Sequence, residues 1–232
     1  MEEQPKEAQP VQGSQRGVLL GIVLIVVLLI GIVALLVVRG QLDAIRYAPT
    51  ATFSPLQLNV TTIDPGVDVQ SFTLPSSIDG APVTLGEPNG LYTLIFFGYT
   101  HCPDFCPISL GEMAQVKRLL GENAAAQVGF VFISVDPARD TPEVLATYLS
   151  NFDAGFVGLS GDDETLMGVA SDYGLYYLRR EDEAVNGAYP VDHSTASYLL
   201  DRNGDLRAVF SYEADADTIA AHIQTLIAQE AG

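Results

Sequence analysis

Residues Leu91 to Gly98 (Leu-Tyr-Thr-Leu-Ile-Phe-Phe-Gly) form a strongly apolar run of strand length. A strand of this composition is buried on both faces, so the chain must supply covering layers on either side of a sheet. Val128 to Val135 repeats the pattern. Between the two, Ile108 to Leu120 places Leu110, Met113, Val116, Leu119 and Leu120 on one side of a helix. Strand, helix, strand is therefore the nucleus around which the other elements must arrange themselves.

Those other elements are readable from local signals. Val69 to Leu74 predicts a strand, and Asp79-Gly80 predicts a tight turn before a second strand at Pro82 to Leu85. Thr141-Pro142 followed by Glu143 predicts a helix start, with threonine as N-cap and proline in the first turn, running to about Asn151. Ser160 to Tyr173 supplies another helix. Thr195 to Leu200 and Leu206 to Phe210 are strands joined by Asp201-Arg-Asn-Gly204, and Asp215 to Gln229 closes the chain as an amphipathic helix. The order implies an α/β fold of the thioredoxin type, a central mixed sheet flanked by helices.

Nearer the N-terminus, the 22 residues from Gly17 to Val38 carry no charge. At 1.5 Å per residue they cover roughly the 30 Å hydrocarbon core of a bilayer. The span is too long for a signal-peptide core, and no small-residue cleavage pattern follows before Arg39, which predicts an uncleaved anchor. Beyond Gly40 the chain has 8 Lys and Arg against 26 Asp and Glu, a net charge of -18. Long domains translocate largely regardless of charge. The expected arrangement is a cytoplasmic arm at 1–16, a transmembrane anchor at 17–38, a tether at 39–66 and a folded domain at 67–232 outside the membrane. Glu2, Glu3 and Glu7 argue against a mitochondrial presequence and for a prokaryotic plasma membrane, with the domain periplasmic or extracellular. So acidic a domain is repelled by nucleic acid and by anionic lipid, and any charge-steered partner is a cation or a basic protein surface.

The chain has two cysteines, Cys102 and Cys106, in His101-Cys-Pro-Asp-Phe-Cys-Pro107 between the first buried strand and its helix. A disulfide closing so short a loop contributes only roughly 2 kcal/mol, so a purely structural staple is the weaker expectation. Positions i and i+4 on a helix sit about 5 to 6 Å apart, close enough for a disulfide or for one soft metal ion held by two thiolates. The dipole of the following helix favours thiolate at both sulfurs, while Asp104 between them opposes it and would attract a cation. Of the three histidines, His222 reads as a surface residue and His101 as a possible tuner of the first thiolate. His193, in Pro190-Val-Asp-His-Ser-Thr195, lies in the loop that a thioredoxin-type topology brings opposite the cysteines. Two thiolates and an imidazole suit copper; zinc ordinarily takes a fourth ligand. Asp136 and Asp140 are candidates for a second acidic site, against their plainer roles at a strand exit and a helix start. Tyr99, Tyr189 and Tyr198 are expected to pack near the site without serving as ligands.

Three stretches carry a family resemblance: Phe96 to Pro107, then Ser134-Val-Asp-Pro-Ala-Arg-Asp-Thr-Pro142, then Val191-Asp-His-Ser194 with Tyr198 to Asp201 and Asn203-Gly204. In this order they resemble the SCO/SenC family of membrane-anchored copper proteins over roughly Val67 to Gln229. Phe105 departs from the pattern, since the family more often has a β-branched aliphatic residue there, a change expected to alter packing and not ligation. The resemblance implies one copper ion, as Cu(I) or Cu(II), bound by Cys102, Cys106 and His193. It also implies a metallochaperone role in assembling the dinuclear copper centre of cytochrome c oxidase, with the copper-site subunit (subunit II) as partner and other copper carriers or thiol-disulfide proteins as further ones. The alternative is a tethered thiol-disulfide oxidoreductase that reduces that subunit's cysteines with the same redox-active pair, Cys102 and Cys106. A peroxiredoxin-like peroxidase is disfavoured because no Pro-x-x-x-Thr-x-x-Cys pattern surrounds Cys102.

Overall fold

The computed structural model describes residues 59–230 and, nearer the N-terminus, residues 25, 28, 30–36 and 39. The arm 1–16 and most of the expected anchor and tether lie outside the described residues. The described positions of the expected anchor span are helical and exposed. Among the described residues no helix is long and apolar enough to cross a membrane.

The elements follow in the order β1 (Val60–Val67), β2 (Phe72–Pro75), β3 (Pro82–Leu85), β4 (Tyr92–Gly98), α1 (Phe105–Ala125), β5 (Val128–Ser134) and α2 (Pro142–Leu149). Then come β6 (Val157–Leu159), α3 (Asp163–Tyr173), β7 (Tyr177–Arg179), β8 (Val191–His193), β9 (Ser197–Leu200), β10 (Leu206–Phe210) and α4 (Ala216–Glu230). Six strands form one sheet in the order β1-β10-β9-β4-β5-β6. β4, β5 and β6 run parallel, while β9, β10 and β1 add antiparallel on the other side of β4, so the sheet is mixed. This is the expected α/β, thioredoxin-like architecture.

Every residue of β4 is buried, as its composition requires. Successive side chains leave opposite faces of a strand. Accordingly Phe97 meets Tyr173 of α3 at 5.6 Å and Tyr198 at 5.7 Å, whereas Phe96 meets Phe132 at 6.1 Å. Helices α1 and α4 pack against each other, and α2 packs on β6. The expected helix end at Leu120 coincides with a break at Gly121, whose φ of +68° interrupts α1. Thr141 caps α2 as expected, its Oγ1 accepting the Val144 amide at 3.4 Å. Helix α3 starts at Asp163, later than Ser160, because the Asp162 carboxylate caps it by accepting the Thr165 amide at 2.8 Å.

One boundary is corrected. Residues 60–66, expected in the tether, belong to β1, which pairs antiparallel with β10 from Val60↔Phe210 to Val67↔Leu206. Pro65 and the irregular sequence around it hide this strand, and its pairing is interrupted by a shift between Thr62 and Val67. The expected strand at Val69 to Leu74 begins at Phe72 and pairs with β3 in a separate hairpin. β6, β7 and β8, three residues each, are too short to impose a period on the sequence.

Candidate metal centre

Strand β4 delivers the chain to a loop at its C-terminal end, where Cys102 is 8% exposed and Cys106 fully buried. Helix α1 begins earlier than expected, at Phe105, so Cys106 lies in its first turn and Cys102 in the preceding loop. The first amides of a helix have no partner within it. Asp104, at the N-cap, makes no side-chain capping bond. Instead the Cys106 amide donates to the Cys102 sulfur at 3.4 Å, and the Cys102 amide donates to the Tyr99 carbonyl at 3.3 Å. The sulfur thus takes the place an oxygen cap would occupy. Pro107, also in the first turn, has no amide to leave unsatisfied there.

Gly98, the last residue of β4, is a site residue that the sequence reading missed. A Cβ there would stand 2.7 Å from the Cys106 sulfur and 2.9 Å from the Phe132 ring. Only its position, at the end of a buried strand shortly before the cysteines, hints at this. The absent side chain makes the space that the second sulfur fills.

The third member arrives on β8. His193 pairs with Tyr177 across the β7–β8 hairpin and turns its Nε2 to the Cys106 sulfur at 3.5 Å. Its Nδ1 lies 2.8 Å from the Ser194 carbonyl. A carbonyl only accepts, so Nδ1 carries a proton, and in the neutral ring the Nε2 lone pair faces the sulfurs. Tyr99 stands edge-on to the ring at 5.7 Å and Phe96 at 6.2 Å, fixing its plane. The ligand atoms of Cys102, Cys106 and His193 all lie within 4.8 Å of one another. Both cysteines are free thiols, with no disulfide between them.

The two sulfurs are electrostatically unlike. The Cys102 thiol is drawn down, chiefly by a hydrogen bond from Cys106, with burial opposing and the backbone amides of Cys106 and Asp104 assisting. The Cys106 thiol is pushed far up by its hydrogen bond to Cys102 and by burial. The amide that Cys106 donates to the Cys102 sulfur favours negative charge on Cys102. Above it opens a depression of about 340 Å³ lined by Tyr99, Cys102, Phe105, Val191, Asp192 and His193, among others. Phe105 is 47% exposed and packs edge-on against Tyr212 at 5.1 Å.

The acidic candidates lie outside this cluster. Asp140, fully buried, accepts from Thr100 Oγ1 at 2.5 Å, the Thr100 amide at 3.0 Å and Ser134 Oγ at 2.6 Å. Asp136, also fully buried, pairs with Arg139 and accepts from the Tyr189 hydroxyl at 2.7 Å. Both carboxylates are consumed by these bonds, so an acidic metal site is not what they build. His101 is exposed, with Nδ1 3.1 Å from Thr100 Oγ1 and 3.9 Å from Asp140. Tyr99 accepts the Val191 amide at 3.4 Å, whereas Tyr198 packs against Phe97 and Tyr173 in the core. His222 is half-buried against Phe210 at 5.6 Å and not a surface residue; burial, with Arg207 nearby, lowers its pKa.

The family model described as SCO1/SenC matches residues 60–228. A SCO2-like protein of Rickettsia felis is 40% identical over 118 residues, covering 51% of this chain and 57% of that one, so the chain spans little over half the relative's length. The structure of Bradyrhizobium japonicum ScoI with copper bound is 40% identical and covers 68% of this chain and 98% of that one, with a TM-score of 0.61. BsSco, described as having a disulfide switch and as a member of the Sco family of cytochrome c oxidase assembly proteins, shares the fold at 22% identity. It covers 71% of this chain and 96% of that one, with a TM-score of 0.56. The family model begins at Val60, the first residue of β1, and continues into α4, so the whole mixed sheet and both cysteine- and histidine-bearing segments fall within it. With its Cys-Cys-His group at the end of a thioredoxin-like sheet and a family match across nearly the entire described domain, this chain belongs to the SCO1/SenC family.

Proposed function

We propose that the protein is a membrane-anchored metallochaperone that binds copper through Cys102, Cys106 and His193 and assists assembly of the dinuclear copper centre of cytochrome c oxidase. Its main support is the convergence of two sulfurs and one imidazole nitrogen within 4.8 Å in a largely buried pocket. Thiolates are soft donors that favour Cu(I), and an imidazole admits Cu(II) as well. No fourth donor of the kind zinc ordinarily takes joins the group among the described residues. ScoI of Bradyrhizobium japonicum is solved with copper, which is the same cargo. Cys102, at the floor of the depression, is where an incoming partner reaches the metal first. The partner is the copper-site subunit of the oxidase, with other copper carriers or thiol-disulfide proteins upstream. The span 17–38 holds the domain on the outer side of a prokaryotic plasma membrane, with residues 1–16 cytoplasmic.

A second activity is favoured by the inequality of the two sulfurs. A Cys102 thiolate can attack a disulfide of the partner, forming a mixed disulfide and releasing one partner thiolate. Cys106 then loses its proton and attacks the Cys102 sulfur, so that the partner leaves with two thiols and the pair retains the disulfide.

The deciding experiment is Cu(I) titration of the reduced chain against a competing chelator, for the native sequence beside His193→Ala. One tightly held copper, weakened at least tenfold by the substitution, is expected. Equal affinity in His193→Ala would falsify the three-donor site. An absence of copper binding together with stoichiometric disulfide reduction would leave the thiol-disulfide oxidoreductase as the function.

A further inference from the structure

His193 is carried by a hairpin that stands apart from the main sheet: among the described residues β7 and β8 pair only with each other. The cysteines are carried by a loop that leaves β4. Nothing in the sheet's own ladder therefore sets the separation between the imidazole and the sulfurs. Yet that separation decides whether the three donors can close on one ion.

Both segments are tied to one short turn, residues 134–140, that follows β5. On the cysteine side, Asp140 accepts the amide and the hydroxyl of Thr100, and Val135 donates its amide to the Gly98 carbonyl at 2.8 Å. On the histidine side, Asp136 accepts the Tyr189 hydroxyl, Arg139 Nη1 donates to the Tyr189 carbonyl at 2.9 Å, and Arg179 Nε of β7 donates to the Val135 carbonyl at 2.9 Å. The Arg139 guanidinium lies over the Tyr189 ring, 3.6 Å from its centroid, where the aromatic face attracts a cation. The turn is itself closed: Ser134 Oγ donates to Asp140 and accepts the Asp136 amide, and the amides of Arg139 and Asp140 donate to the Asp136 carbonyl. Further ties to the hairpin are the Arg179–Asp163 pair and the bond from the Val191 amide to Tyr99.

We infer that Asp136, Arg139 and Tyr189 are positioning residues for His193, and that Asp140 is the positioning residue for the cysteine loop. The turn between them is a brace that fixes the imidazole-to-sulfur distance. Buried carboxylates suit this task because each accepts several bonds at once, and charge-assisted bonds are the strong ones. Two buried carboxylates at i and i+4 on one turn thus face two different segments. The inference rests on the copper reading for its functional meaning, but the geometry it asserts belongs to the metal-free protein.

The test uses the full chain with Tyr189→Phe, Arg139→Leu and Asp140→Asn, each first shown to be folded by its thermal transition. Tyr189→Phe removes one oxygen and is the variant least able to disturb the fold. Three quantities are read: the ring ¹H–¹⁵N spectrum of the metal-free protein, Cu(I) affinity, and the reduction potential of the thiol pair by equilibration with dithiothreitol. With three histidines in the chain the ring spectrum is simple. Tyr189→Phe and Arg139→Leu are expected to shift or broaden the His193 ring signals and weaken Cu(I) about tenfold, leaving the potential unchanged. Asp140→Asn is expected to move both affinity and potential. Native ring signals with native affinity in the two hairpin variants would overturn the brace. So would a change in potential as large as that of Asp140→Asn, because it would mean a general loosening. If the native chain binds no copper through His193, the copper reading fails, and the ring spectra still decide the brace.

Discussion

Cys102 and Cys106 are the same side chain made unlike by their surroundings. The first sits in a loop and accepts an amide from the start of a helix; the second is in the helix, fully buried, and keeps its proton. A depressed thiol pKa means the thiolate persists at acidic pH and is lost only as pH falls through the lowered value. Alkylation of the reduced, metal-free chain by iodoacetamide at pH 5, followed by peptide mass mapping, is therefore expected to label Cys102 and spare Cys106. Equal labelling, or none, would contradict the assignment of the thiolate. Gly98 acts by absence. Gly98→Ala drives a methyl against the Cys106 sulfur and the Phe132 ring, and overpacking of this kind costs about 1–3 kcal/mol. Urea denaturation should register that loss, with weaker Cu(I) binding alongside. At this scale the chemistry-bearing residues could be read directly, because thiols and imidazoles are scarce here. The roles of Asp136 and Asp140 could not, because a carboxylate's identity does not disclose whether donors already surround it.

Among the elements, long and buried ones were legible and short or edge ones were not. β4, β5, β10 and α4 are within a residue or two of expectation because each carries a full period of apolar positions. β8 has three residues and reads as polar loop, although it holds His193. β1 was read as tether because its burial is slight, mostly exposed with three half-buried positions, Val60, Ile63 and Gly66, so its existence depends on the edge that β10 offers. A fragment beginning at Val67 is therefore expected to be less stable than one beginning at Asn59. At about 1 kcal/mol net per backbone hydrogen bond the deficit amounts to a few kcal/mol, and it would also leave β10 as an open edge. Comparing thermal transitions and aggregation of the two fragments checks this, and equal stability would show β1 to be dispensable.

For the molecule as a whole, 26 acidic against 8 basic residues beyond Gly40 leave the domain under net self-repulsion. Salt screens that repulsion, so the thermal midpoint of the metal-free protein is expected to rise between 10 and 300 mM sodium chloride, by about 2–4 °C for each kcal/mol relieved. A midpoint that falls would mean that favourable pairs such as Lys117–Asp153 and Arg179–Asp163 outweigh the net charge. The sequence by itself determined the layered α/β architecture and the donor set. Burial periodicity dictates where long strands and helices run, and two cysteines and one loop histidine at the right topological places leave little choice of chemistry. Only the tertiary structure decided which sulfur carries the charge, how the β7–β8 hairpin is held against the cysteine loop, and that residues 60–66 belong to the sheet. Each of these depends on groups far apart in the chain meeting at hydrogen-bond distance, and no local pattern encodes such a meeting.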